Sequence, residues 1–153
     1  MGAEIERKFL VAASWQPTDA GTHFQQGYLN SDRERVVRVR LQGDSAKLTI
    51  KGVTTGVTRA EYEYDIPVDD APALLALCEQ PLIEKRRHLE QHGGKTWEID
   101  VFLGANAGLV IAELELGSED EAFERPPWLG DEVSGDPRYY NNNLIAHPMG
   151  TST

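Results

Sequence analysis

A mainly β domain of about eight antiparallel strands, compatible with a closed barrel and accompanied by a few short helices, is the fold this sequence predicts. Three observations predict it. Apolar and charged residues alternate with period two through most of the chain, the pattern of strands with one apolar and one charged face. Short turn-forming stretches separate the alternating runs, and short connections join antiparallel neighbours. The chain has 153 residues, which at roughly 150 residues per domain makes residues 1–153 a single domain.

Residues 3–11 set Glu4, Glu6 and Lys8 against Ile5, Arg7, Phe9 and Val11. A weaker run follows near 23–30. Over 36–41, Arg38 and Arg40 alternate with Val37, Val39 and Leu41. Over 47–51, Lys47, Thr49 and Lys51 oppose Leu48 and Ile50. Over 60–66, Glu61, Glu63 and Asp65 oppose Tyr62, Tyr64 and Ile66. Residues 83–89 carry Lys85 and Arg87 on one face. Over 96–103, Glu98 and Asp100 oppose Trp97, Ile99, Val101 and Leu103, and over 109–116, Glu113 and Glu115 oppose Ala112, Leu114 and Leu116. Turn chemistry at Asn30-Ser31-Asp32, Gly43-Asp44-Ser45, Gly52–Gly56, Gly93-Gly94 and Gly104–Gly108 separates these runs in meander order. Three helices are expected besides. One covers 69–79, behind Asp69-Asp70 and Pro72. A second starts at the capping box Ser118–Glu121 and stops at Pro126-Pro127. A third runs from Asp136-Pro137 to about His147.

Composition narrows the function. Hydrophobic residues are 40% and charged residues 26% of the chain, a globular rather than a disordered balance. No apolar run approaches the ~20 residues that span a bilayer, so no membrane partner is expected. The charged, strand-like start MGAEIERKFL does not read as a secretory leader. The single cysteine, Cys78, excludes an intrachain disulfide framework and a cysteine-rich zinc site. A cytoplasmic location is expected. The net charge of −10 argues against nucleic acid as a partner. It does not argue against a small polyanion, because what matters there is where the basic residues sit.

The charges come in like-signed doublets two residues apart on one face. Acidic doublets are Glu4/Glu6, Glu61/Glu63, Glu98/Asp100 and Glu113/Glu115; basic doublets are Arg38/Arg40 and Lys85/Arg87. A solvated face intersperses signs, because like neighbours repel. Doublets of one sign are tolerated when a ligand of the other sign sits between them. Carboxylates without His or Cys favour a hard ion, Mg²⁺ or Mn²⁺. Arginine forks suit phosphate oxygens. A chain of phosphates with bound metal matches both.

Glu4-Ile-Glu6-Arg7-Lys8 resembles the ExExK signature of the CYTH domain, the triphosphate tunnel metalloenzymes. The resemblance continues in order through Arg38-Val39-Arg40, Thr49-Ile50-Lys51, Glu61-Tyr62-Glu63, Glu84-Lys85-Arg86-Arg87, Glu98-Ile99-Asp100 and Glu113-Leu114-Glu115. It implies a closed eight-stranded antiparallel barrel with its charged faces inward, forming a tunnel, and metal-dependent hydrolysis of inorganic triphosphate there. Thiamine or nucleoside triphosphatase, adenylate cyclase and a non-catalytic polyphosphate-binding module are the alternatives.

The resemblance also implies roles. Glu4, Glu6, Glu113 and Glu115 match metal ligands, and Glu61 and Glu63 belong to the same acidic half. Glu98 and Asp100 either ligate metal or pair with basic neighbours. Lys8, Arg38, Arg40, Lys51, Lys85 and Arg87 match the phosphate-binding side, and Arg138 on the last helix closes over one tunnel end. Lys47 and Arg59 are expected in solvent. A lysine crowded by arginines has its pKa lowered, which makes Lys85 the expected general base, oriented by Tyr28. Inward charges leave Phe9, Val37, Val39, Trp97 and Val101 facing out. Three short helices are little cover for them, so a homodimer is expected.

Overall fold

Each alternating run becomes a strand. The computed structural model describes residues 2–146 and 148. The strands are β1 (Gly2–Val11), β2 (Thr22–Asn30), β3 (Val36–Gln42), β4 (Ser45–Thr55), β5 (Thr58–Ile66), β6 (Ile83–His92), β7 (Lys95–Leu103), β8 (Val110–Glu115) and β9 (Leu129–Glu132), with helices α1 (Ala71–Leu77) and α2 (Asn141–Ala146). Neighbours follow the order β5-β4-β3-β2-β6-β7-β8-β1. β1 also pairs with β5 over Gly2–Ile5, which closes an eight-stranded antiparallel barrel. The short β9 was not expected. It pairs with β1 further along, at Phe9 and Val11, and its sequence LGDE has no alternation to announce it.

The meander is broken twice. β1 does not pair with β2, nor β5 with β6. Residues 12–21 and 67–82 connect these strands and are too long for a hairpin turn. The second connection holds a 3-10 turn at Val68–Asp70 and then α1, and it delivers β6 to the free edge of β2. Gly27 records how closely this connection lies on β2. A Cβ there would come within 2.6 Å of Leu82 Cδ2 and 2.8 Å of Cys78 Cβ.

No helix forms after Ser118. Glu121 does fold back, accepting the backbone N–H of Gly117 at 2.6 Å. Residues 117–128 nonetheless stay irregular. Pro126 and Pro127 block propagation, and Phe123 and Trp128 are drawn into edge-to-face packing on Trp97. Further on, Asp136 caps as expected, accepting the Arg138 N–H at 3.1 Å. It caps a 3-10 turn at Pro137–Tyr139, and α2 starts only at Asn141. The expected end at His147 lies outside the described residues.

Much of the outer surface is covered by the chain itself. Phe9, Trp97, Ile99, Ala112 and Leu114 lie under Trp15, Phe123, Trp128 and Leu129. Val39 and Leu48 lie under Leu74, Leu75 and Cys78. Irregular segments thus supply cover that had been expected from a second subunit. The β4–β5 wall stays barer, with Ile50, Tyr62 and Tyr64 exposed at 39%, 42% and 56%. A third cluster forms at one end of the barrel. Tyr28, Val36, Ile83, Phe102 and Ile111, on the inward rows, pack with Val133, Tyr139, Leu144 and Ile145.

Candidate active site

Closure turns the charged rows inward. Glu4, Glu6, Lys8, Arg38, Arg40, Lys51, Glu61, Glu63, Lys85, Arg87, Glu98, Glu113 and Glu115 line one cavity of about 810 Å³. Around the ring, β7, β8, β1 and β5 are consecutive, and so are β4, β3, β2 and β6. The first four carry the acidic doublets and the second four hold the two basic ones. A chain that interleaves the signs therefore folds into a barrel with an acidic arc and a basic arc. Two cations break the pattern: Lys8 on β1, directly opposite Glu113 of β8, and Arg59 on β5, opposite Glu4 of β1.

On the acidic arc, one carboxylate oxygen each from Glu6, Glu98 and Glu113 lies within 4.8 Å of the other two. Register brings two of them together, since Glu98 and Glu113 are partners across β7–β8. Burial pushes Glu6 well above the usual carboxylate range, and Glu113 and Glu4 push it further. Burial also raises Glu98, against the pull of Arg87. Burial opposes ionisation of Glu113 too, but Lys8, Arg87 and Lys85 hold its carboxyl well below the usual range. An all-carboxylate set fits a hard divalent cation, and a cation there would relieve the repulsion that raises Glu6. Nearby, Lys51 Nζ lies 3.0 Å from Glu4 and 3.5 Å from Glu61. Burial and then Glu4 raise the Glu61 carboxyl. Glu63 accepts the Thr49 hydroxyl at 3.3 Å. Glu115 lines the cavity opposite Glu6.

On the basic arc, Lys85 and Asp100 are buried 2.7 Å apart. Asp100 also receives Arg87 through Nε and Nη2, at 2.7 and 2.9 Å. Burial would raise the Asp100 carboxyl, but Lys85 and Arg87 hold it below its usual range. The two members of the Glu98/Asp100 doublet thus differ: Asp100 is held between Lys85 and Arg87, while Glu98 lies in the carboxylate cluster and also 3.3 Å from Arg87 Nη1. The Lys85 ammonium is lowered to about 8, by burial first and by Arg87, with Asp100 opposing. Arg40 is lowered to about 9 by burial, Arg38 and Arg87. Lys8 is raised although burial opposes it, because Glu113 and Glu6 lie close.

Tyr28 lines the same cavity. Lys85 Nζ nevertheless donates to Asp100 and not to the Tyr28 hydroxyl. Arg138 is outside the lining; it is largely exposed and pairs with Asp136 at 2.7 Å. Arg33, Lys47 and Arg59 do line the cavity. Lys47 was legible, since it shares a row with Thr49 and Lys51. Arg33 sits in the turn after β2, where no periodicity could point to it.

Residues 2–146 match the family model described as the CYTH domain. The chain is 51% identical over 150 residues to an inorganic triphosphatase of Acetivibrio thermocellus, covering 97% of this chain and 96% of that one. It is 39% identical over 145 residues to an inorganic triphosphatase of Nitrosomonas europaea, covering 92% and 95%. The crystal structure of the inorganic triphosphatase NE1496 matches with a TM-score of 0.68 at 35% identity, over 98% of this chain and 97% of that one.

Proposed function

The chain belongs to the CYTH domain family, and on that premise we propose that it is an enzyme that hydrolyses inorganic triphosphate to pyrophosphate and phosphate inside its barrel. One observation carries this reading: apart from Lys8 and Arg59, the carboxylates and cations that line the cavity occupy separate arcs. A polyanion with a bound cation needs that separation, whereas a barrel stabilised only by its own ion pairs would pair each charge locally.

A divalent metal goes with the family. We assign it to Glu6, Glu98 and Glu113, with Glu4, Glu61, Glu63 and Glu115 around them, and name Mg²⁺ or Mn²⁺ on the all-oxygen donor set. When bound, it supplies charge neutralisation on phosphate oxygens. Lys8, Arg38, Arg40, Lys51 and Arg87 hold the phosphate chain, the arginines through forked hydrogen bonds. Lys85 in its neutral form takes a proton from water. The water oxygen attacks a terminal phosphorus, and the P–O bond to the bridging oxygen breaks, releasing pyrophosphate. Asp100, 2.7 Å from the lysine nitrogen, stabilises the ammonium that results. The cavity's charged section suits a slim linear substrate.

The test is phosphate release from tripolyphosphate, ATP, thiamine triphosphate and pyrophosphate, each with Mg²⁺, Mn²⁺ or EDTA. Metal-dependent release chiefly from tripolyphosphate is expected. Chief release from an organic triphosphate would move the substrate, and binding without release would leave a polyphosphate-binding module. We keep the homodimer as a proposal on narrower ground, the exposed Ile50, Tyr62 and Tyr64. Sedimentation at the mass of one chain would remove it. We place the enzyme in the cytoplasm, where a lone buried Cys78 stays reduced.

A further inference from the structure

Phe24 stands among cations, where a counter-ion would be expected. It lies on the inward row of β2, between β3 and β6, which carry the two basic doublets. Its partner in register on β6 is Lys85. The ring is buried by the protein and still borders the cavity. Arg87 Cζ is 4.8 Å from the ring centroid, Arg40 Cζ 4.9 Å and Lys85 Nζ 5.8 Å. All three fall within the ~6 Å over which an aromatic quadrupole attracts a cation.

Asp100 takes both Lys85 and Arg87. Arg87 has carboxylate partners besides, with Glu98 at 3.3 Å and Glu113 at 3.9 Å, and Lys85 Nζ also lies 5.5 Å from the Phe102 centroid. Arg40, by contrast, forms no ion pair among the described residues. Arg40 Nε donates to a neutral acceptor, Gln26 Oε1, at 3.1 Å. Burial and the charges of Arg38 and Arg87 both disfavour the Arg40 cation. We propose that Phe24 is a positioning residue, whose ring holds Arg40, Arg87 and Lys85 in one array by cation–π attraction while leaving their charge free for a linear polyphosphate. A carboxylate in its place would hold the cations more tightly but would compete with phosphate for them. An aliphatic side chain would fill the volume and give Arg40, which has only a neutral acceptor, nothing to set against the repulsion of Arg38 and Arg87.

This inference rests on the triphosphatase reading, and its test keeps the two apart. The full chain would be compared with Phe24→Leu, Phe24→Tyr and a protein carrying 3,4,5-trifluorophenylalanine at position 24. The last keeps the ring's shape and weakens its quadrupole. Two quantities are read: KM for tripolyphosphate with Mn²⁺, and tripolyphosphate affinity by calorimetry in EDTA. The leucine and trifluoro proteins are expected to lose about tenfold in both. Phe24→Tyr is expected to stay within about threefold, since its ring keeps the quadrupole. The trifluoro protein should melt with the wild type. Wild-type KM and affinity in the trifluoro protein would overturn the proposal, because they would leave Phe24 a packing residue only. A wild type with no tripolyphosphate turnover would instead sink the functional reading, independently of any variant.

Discussion

Lys85 is under two opposed demands. Its ammonium is buried and faces Arg87, both of which favour the neutral amine, while Asp100 at 2.7 Å favours the charged form. The balance lies at about 8. A general base works only when deprotonated, so kcat should rise as pH increases through about 8 and level off above it. A pH–rate profile with no rising limb there would count against the role. Lys85→Ala should abolish turnover while calorimetry still detects triphosphate, and unchanged turnover would remove Lys85 from the mechanism. Asp100→Asn should cost about 3–5 kcal/mol in urea unfolding, because it leaves the buried Lys85 ammonium without its counter-ion and takes from Arg87 its nearest one. The Asp100 carboxyl is held below its usual value. The stability it contributes is therefore present above pH ~4 and is lost as pH falls through the folded value. Period two placed Lys85, Arg87 and Asp100 on inward or outward rows. It could not pair them, because partners across strands depend on register.

Among the elements, β2 and α1 show tertiary packing deciding what local signals left open. β2 was the weakest run in the sequence, yet it is the strand on which β3 and β6 both pair. Its Gly27 has no room for a methyl group beneath Leu82 and Cys78. Gly27→Ala should destabilise the fold by about 1–3 kcal/mol, read from the urea midpoint. Leu75 of α1 is buried on the outer side of the barrel against Val39. Leu75→Ala should cost about 2–5 kcal/mol and leave KM for triphosphate as it was, since the helix covers the wall opposite the charges. A matching rise in KM would mean that α1 shapes the cavity. The segment after Ser118 shows the reverse case. Its capping signal is present and Glu121 answers it, but one capped turn yields less than burying Phe123 and Trp128 against Phe9 and Trp97.

For the molecule as a whole, the ligand completes the charge balance. An acidic cluster in which burial and neighbours raise Glu6 is relieved by a cation, and a basic arc in which Arg40 is lowered is relieved by phosphate. Metal and triphosphate should therefore stabilise the fold by mass action. At about 100 times Kd the gain is about 2.7 kcal/mol, a rise in Tm of about 5–10 °C for a chain of this size. Thermal melts with Mn²⁺, and with Mn²⁺ plus tripolyphosphate, check it. Glu113→Gln should remove most of the metal shift. An equal shift in that variant would move the metal away from the Glu6–Glu98–Glu113 cluster.

The sequence by itself determined which residues share a face, the like-signed doublets on those faces and the hard-oxygen and guanidinium chemistry they offer. Alternation is a local consequence of strand geometry, so neighbouring residues suffice to read it. The resemblance carried by the ExExK start and the later doublets supplied the inward direction, which alternation alone leaves open. Only the tertiary structure decided how the doublets meet. The β1–β5 and β2–β6 pairings sort signs that are interleaved along the chain into two arcs. The β1–β8 pairing brings Glu6 to the Glu98–Glu113 pair and completes the carboxylate cluster. Such pairings join strands far apart in sequence and are selected by the closure of the barrel and the burial of its outer apolar rows. No short window of residues contains that information.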